Sequence, residues 1–320
     1  MSTQTVPRGA IVVGVDGSST SNLALDWAVA EAARRVLPLH IIHAFSYGYP
    51  LTDIGIGYAI TGLRQLADRM RKDAVARARR AGPELVITWS EPAFRPAPAL
   101  VEASETADTM VLGARGLSAA RGVFMGSVSV QVAAHAHCPV VIVHDTPAQS
   151  VAGAPVVVGV DGSEVSSTAI AYAFEQASSR RVGLTVVHAW WMDNIEDTAA
   201  AAIWTVDWQT FAKEEQALVA ESLAGWEEKY PDVPVRRHSV RGLPVEALIR
   251  QSKNACLVVV GTRGRGGFGG LLLGSVSQGV MHRAQCPVVI VHGQKAQSDW
   301  DNVVAPILHA LPVPPVREHT

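Results

Sequence analysis

Nine residues, Ala10-Ile11-Val12-Val13-Gly14-Val15-Asp16-Gly17-Ser18, return 145 positions later as Pro155-Val156-Val157-Val158-Gly159-Val160-Asp161-Gly162-Ser163. His43-Ala44 returns as His188-Ala189 at the same offset. Two further blocks return at an offset of 148: the glycine pattern Gly113-x-x-Gly116, nine residues, Gly126-Ser127, and the run Cys138-Pro139-Val140-Val141-Ile142-Val143-His144. Their copies are Gly261-x-x-Gly264, nine residues, Gly274-Ser275, and Cys286 to His292. The chain is therefore one unit written twice, with three extra residues in the second copy before its glycine pattern. Each copy is the size of an ordinary single domain. We place the first domain at 1–146, a small polar linker at 147–154, the second domain at 155–293 and a Pro-rich tail at 294–320.

Within each copy, short Val- and Ile-dense runs alternate with helix-like segments. Strands are expected near 10–15, 39–44, 84–89, 108–113 and 139–144, and again near 155–160, 184–189, 234–239, 256–261 and 287–292. Runs apolar on both faces are those of parallel strands covered on both sides. The fold class is α/β: two tandem doubly wound, Rossmann-like domains, each a five-stranded parallel sheet with helices on both faces. In the first helix, near 20–36, helical spacing assigns Leu23, Trp27 and Ala30 to the core and leaves Asp26, Arg34 and Arg35 for water. The helix near 61–81 carries Leu63, Leu66, Met70 and Ala74 on one side.

With 48% hydrophobic residues, 18% charged and a formal net charge of -2, the chain has ample apolar material for buried sheets. It shows no basic footprint for nucleic acid. No apolar run approaches the roughly 20 residues of a membrane helix. The first apolar run becomes a strand of the repeat, so no signal peptide is read. Cys138, Cys256 and Cys286 sit in apolar contexts without C-x-x-C spacing, as buried thiols of a reducing, cytoplasmic compartment.

In an open parallel sheet, ligands settle at the carboxyl ends of the strands. Asp16 and Asp161 lie just past the first strand of their copies, and the glycine loops lie just past the fourth. A carboxylate suits amino or hydroxyl donors. Glycines bring backbone close, and a helix N-terminus opened by Gly-Ser favours an anion. Asp-Gly-Ser is equally the composition of a turn and helix cap. Ser127, Ser129, Ser275 and Ser277 can cap the next helix, donate to phosphate, or both. Arg115 and Arg263 can reach phosphate bidentately or stay in solvent.

Other motifs fail. Gly264 to Gly269 matches G-x-G-x-x-G but follows the fourth strand, and no acidic residue lies about twenty positions on. There is no P-loop pattern. The pairs His40/His43 and His135/His137 lack the Glu or Cys company of a metal site.

Taken together, Gly-Val-Asp-Gly-Ser, His-Ala, G-x2-G-x9-G-S and Cys-Pro-Val-Val-Ile-Val resemble the universal stress protein family, in its tandem, ATP-binding form. The resemblance covers both halves. It implies ATP, with Mg2+ bridging phosphates, at one site per domain. The first site would be Asp16, the Ala44 backbone, Gly113, Arg115, Gly116, Gly126, Ser127, Val128 and Ser129. The second would be Asp161, Ala189, Gly261, Arg263, Gly264, Gly274, Ser275, Val276 and Ser277. It also implies pairing through the last strands, as a homodimer or as a pseudo-dimer within one chain, and a part in stress survival or growth. The family's Gly-x-Pro before the third helix is present as Gly242-Leu243-Pro244 but is Phe94-Arg95-Pro96 in the first copy, so that turn is expected to differ. No activated nucleophile with a positioned base is visible, so nucleotide occupancy rather than catalysis is the expected mode. Slow ATP hydrolysis or autophosphorylation, and a nucleotide-independent dimeric scaffold, are the alternatives.

Overall fold

The structure is a computed structural model that describes residues 5–43, 56–92, 95–117, 125–145, 153–190, 208–264 and 272–293. Ala44, Phe94, most of the expected linker and the tail lie outside the described residues. The first half runs β1 (Ile11–Gly14), α1 (Ser19–Arg35), β2 (Leu39–Ile42), α2 (Ile56–Ala81), β3 (Ile87–Ser90), α3 (Pro96–Ser104), β4 (Thr109–Gly113), α4 (Ser127–His135) and β5 (Val140–Val143). The second runs β6 (Val156–Gly159), α5 (Glu164–Arg180), β7 (Leu184–Trp190), α6 (Trp208–Leu223), a single turn α7 (Trp226–Lys229), β8 (Val235–Arg241), α8 (Pro244–Ser252), β9 (Leu257–Gly261), α9 (Ser275–Arg283) and β10 (Val288–Val291).

Each half is a parallel sheet of five strands, but the two are not separate. They form one ten-stranded sheet in the order β3-β2-β1-β4-β5-β10-β9-β6-β7-β8. The seam is the antiparallel pair β5–β10, with Ile142 opposite Val288 and Val140 opposite Ile290. This is the pairing of last strands anticipated from the sequence, made within one chain. Because the seam is antiparallel, the carboxyl ends of the two sets of strands point to opposite margins of the sheet.

Helices cover both faces. Residues Ile11, Val13 and Val15 point into one core with α1, α2, α5 and α6, while Val12 and Met110 point into the other with α3, α4, α8 and α9. The stripe assigned to α1 is rotated from the one expected. Ala24, Leu25, Ala28, Val29 and Ala32 are buried, whereas Leu23 and Ala30 are exposed. Small alanines let this helix lie close to the sheet, so side-chain size misreads its inner face. Arg34 and Arg35 are not surrendered to water either, because they face α5 of the other half. In α2 the buried residues among those with described side chains are Ala67, Ala74 and Ala78, with Leu66 exposed; Leu63 lies outside them.

Two histidines clasp the halves reciprocally. Nε2 of His144, just past β5, donates to the Met281 carbonyl of α9 at 2.6 Å. Its counterpart His292, just past β10, donates to the Ala133 carbonyl of α4 at 3.0 Å. Burial pushes both imidazoles down in pKa, His292 to about 4, so both are neutral at pH 7. Burial also pushes the Cys138 and Cys286 thiols up to about 12, which leaves them unreactive.

Candidate functional site

At the carboxyl end of β1 the chain turns sharply, and Asp16 Oδ1 accepts the Ser18 N–H at 2.9 Å across Gly17, whose φ is 86°. Ser18 then caps α1, its hydroxyl oxygen accepting the Ser21 N–H at 3.1 Å. The second half repeats each element. Asp161 Oδ1 accepts from the Ser163 N–H at 3.0 Å and hydroxyl at 2.7 Å, Gly162 has φ 77°, and Ser163 accepts the Ser166 N–H at 3.2 Å. The turn-and-cap role of Asp-Gly-Ser is therefore real. It uses one carboxylate oxygen of each aspartate.

The other oxygen faces the glycine loop. Asp16 Oδ2 accepts the Leu117 N–H at 2.9 Å. A Cβ on Gly116 would lie 2.6 Å from that oxygen, and one on Gly264 would collide in the same way with Asp161 Oδ2. Only a residue without a side chain lets the loop pass this close to the carboxylate. The fold thus brings Asp16 together with Gly113, Arg115 and Gly116, and Asp161 together with Gly261, Arg263 and Gly264, at one margin in each half.

Each loop hands the chain to a helix that opens differently from α1 and α5. Gly126 and Gly274 occupy the N-cap positions of α4 and α9, in extended backbone and with no side chain to bond the first-turn amides. Their own N–H groups are held by the Ala114 carbonyl at 2.8 Å and the Thr262 carbonyl at 2.7 Å. A helix leaves its first N–H groups without intrahelical partners. Here those of Ser127, Val128 and Ser129, and of Ser275, Val276 and Ser277, start at a glycine that cannot cap them. The Ser127 and Ser275 side chains are exposed beside them. Ser129 and Ser277 are buried and donate inward, to the Gly113 carbonyl at 2.7 Å and the Thr262 carbonyl at 2.9 Å. Their hydroxyls fasten helix to strand.

Ala189 lies in β7, beyond the last residue of β7 that pairs with β6, so its backbone stands at the margin of the sheet. Ala44 lies outside the described residues. The turn before the third helix differs between halves, as its sequence implied. Arg95 sits at φ 60°, while its counterpart Leu243 sits at φ -67° after Gly242.

The strand-two histidines each stand by a carboxylate that sequence reasoning did not single out. His43 is buried with Nδ1 3.7 Å from Glu91 Oε1, and burial lowers its pKa to about 4 although Asp16 pulls the other way. Burial raises that of Glu91. His188 bonds the Val160 carbonyl at 2.7 Å and, through Nε2, the Glu215 carboxylate. Glu91 follows β3 and Glu215 rides on α6. The same neighbour comes from two unrelated elements, so no repeat pattern could reveal it. Among the described residues no group of three His, Cys, Asp or Glu side chains could hold a metal ion. Nor is any described helix long and apolar enough to cross a membrane.

Comparison with known proteins gives a consistent result. The family model described as "Universal stress protein family" matches residues 8–144 and again 154–292. Universal stress protein Rv2005c of Mycobacterium tuberculosis is 39% identical over 292 residues, covering 88% of this chain and 96% of its own. The crystal structure of a universal stress protein from Archaeoglobus fulgidus is similar across 91% of this chain and 99% of its own, at 22% identity and a TM-score of 0.66. A universal stress protein solved in complex with cAMP is 34% identical, covering 43% of this chain with a TM-score of 0.31.

Proposed function

The chain belongs to the universal stress protein family, and from that premise we propose that it binds ATP, one molecule in each half, and works through the occupancy of those sites rather than through rapid turnover. The two binding units would be the domains at 1–146 and 155–293. The observation that carries this reading is the pair of glycine-capped helices α4 and α9, opening beside Asp16 and Asp161 at the carboxyl margin of their strands. Uncapped first-turn amides and the positive end of the helix dipole suit a polyphosphate. The aspartate suits a donor on base or ribose. A carboxylate beside an anion cradle is what a molecule with polar donors at one end and phosphates at the other needs.

The donor set also bears on the metal. With no carboxylate cluster among the described residues, Mg2+ would be carried on the phosphates and completed by water, as this hard cation tolerates. The protein would act in the cytoplasm, as a regulator of stress survival or growth that signals by being loaded or empty.

The test is the nucleotide released when freshly purified protein is denatured. We expect ATP at up to two equivalents, with Gly116→Ala plus Gly264→Ala losing it, because each new methyl displaces an aspartate carboxylate from its loop. Protein that carries none and does not bind added ATP would overturn the reading, whether or not it binds cAMP.

A further inference from the structure

The two glycine loops are fastened to their surroundings by different means. In the first half, the carbonyl of Arg115 accepts the Thr20 hydroxyl and, at 3.3 Å, the Ser18 hydroxyl. The Arg115 guanidinium is itself held, Nη2 lying 3.1 Å from Asp145 Oδ2. With the Asp16–Leu117 bond, the first loop is tied down through carbonyl, amide and side chain.

Two substitutions remove the Thr20 hydroxyl and the Asp145 carboxylate from the second half. The counterpart of Thr20, 145 residues on, is Val165. The counterpart of Asp145, 148 residues on, is Gly293. Val165 has no hydroxyl to give the Arg263 carbonyl. Its methyl groups pack instead where a Cβ on Gly261 or Gly293 would meet them, at 2.6 Å and 2.8 Å. Glycine at 293 has no carboxylate with which to hold Arg263. The bulk that replaces the Thr20 hydroxyl and the glycine that replaces Asp145 fit together, so the second loop is built without these two ties.

Resting on the nucleotide reading above, we propose that the two sites are unequal: Asp145 and Thr20 latch the first, and the second, where no described carboxylate holds Arg263, fills first. An exposed arginine–carboxylate pair alone restrains little. The ligand's own charge makes Asp145 matter. A polyphosphate entering the first site must take Arg115 from Asp145 and then sit near that carboxylate, whereas in the second it meets a guanidinium with no partner among the described residues, and a glycine. Together these effects predict a separation of about tenfold in affinity between the sites. ATP levels would then grade the protein through empty, half-loaded and fully loaded states.

The test is titration calorimetry of MgATP into the full chain stripped of nucleotide, for the wild type, Asp145→Asn and Arg263→Gln. Asp145 is half exposed and its amide is isosteric, so that variant keeps the fold. Two phases are expected in the wild type. Asp145→Asn should tighten the weaker phase about tenfold and leave the tighter one unchanged, and Arg263→Gln should weaken the tighter one. Two equal sites, or a weak phase indifferent to Asp145→Asn, would overturn the inequality while leaving the nucleotide reading intact. Absence of binding at both sites would overturn that reading, and the inequality with it.

Discussion

Helices α1 and α5 hold equivalent places in the two halves and meet across the seam, yet they meet with unlike residues. Glu31 of α1 corresponds to Gln176 of α5. The two touch, Gln176 Nε2 donating to Glu31 Oε1 at 3.1 Å. Glu31 is 1% exposed and also takes Arg34 and, at 2.7 Å, Arg180. Arg180 in turn lies 5.5 Å over the ring of Trp27. Its counterpart Arg35 stays with Asp108 of its own half and reaches Glu175 at 3.1 Å. The residue in the second half matching Asp108 is Cys256, so Arg180 has no such carboxylate at home. At the strands the seam is symmetric, Val-Val-Ile-Val against Val-Val-Ile-Val. At the helices it is not. Two copies of the first half joined this way would bury carboxylate against carboxylate, and two of the second would lack Glu31, the buried acid that Arg180 meets here. The apolar strands bring halves together, and the buried polar cluster decides which halves.

The strongest way to break this comparison is at the matched pair itself. Glu31→Ala leaves two arginines around an uncharged hole and should cost about 3–5 kcal/mol in urea denaturation, as losing one partner of a buried ion pair does. Gln176→Ala removes a neutral amide and should cost only about 1–2 kcal/mol. Equal losses would mean that the cluster is packing and not charge. Gln176→Glu should be worse than either at neutral pH, since it recreates the like-charged seam.

Acid should separate the halves next. His40, its ring held between Thr88 at 2.7 Å and Ser90 at 2.9 Å, and His43 are both pushed by burial to about 4. His40 has Thr185 as its counterpart, so the second half has no such group there. A histidine with a folded pKa below its unfolded value gains its proton on unfolding. The stability it supports is complete above about pH 6.5 and is lost as pH falls towards 4, up to roughly 3 kcal/mol for each fully buried ring. Hydrogen exchange at pH 7 and pH 5 should show β2 and β3 losing protection before β7 and β8. Because His144 and His292 titrate in the same direction, the seam should loosen with them.

The smallest effect sharpens the comparison at one backbone position. Val36 and its counterpart Arg181 both end their helices in left-handed conformation, at φ 55° and 56°. A β-branched residue suffers more there than an unbranched one. Val36→Gly should therefore raise stability by up to about 1 kcal/mol, and Arg181→Gly by less.

Much of this was legible in the sequence because it is written twice. The strands, their parallel order within a half and the glycine loops follow from motifs whose spacing recurs, and the meeting of last strands was implied by the family resemblance those motifs carry. The nearness of Asp16 and Asp161 to their glycine loops was legible for the same reason. What escaped lies where the copies diverge. Glu31 and Arg34 look like solvent residues on a helix whose inner face is alanine, and only the neighbouring half makes them interior. Thr20 and Asp145 gain meaning only when Val165 and Gly293 are set beside them in space. Periodicity reports contacts within an element, and these are contacts between halves.

The seam is finally a matter of timing. Every parallel strand pair joins segments of one half, but Val141 of β5 waits for Val289, 148 residues later in the chain. A chain emerging from the ribosome completes its first half long before β10 exists. Throughout that interval β5, apolar at every position, is an open strand edge. The last described strand to be made is the one that covers it, so a chain truncated or slowed before residue 288 is left with a sticky margin, and a neighbouring chain's β10 is the nearest thing that fits it.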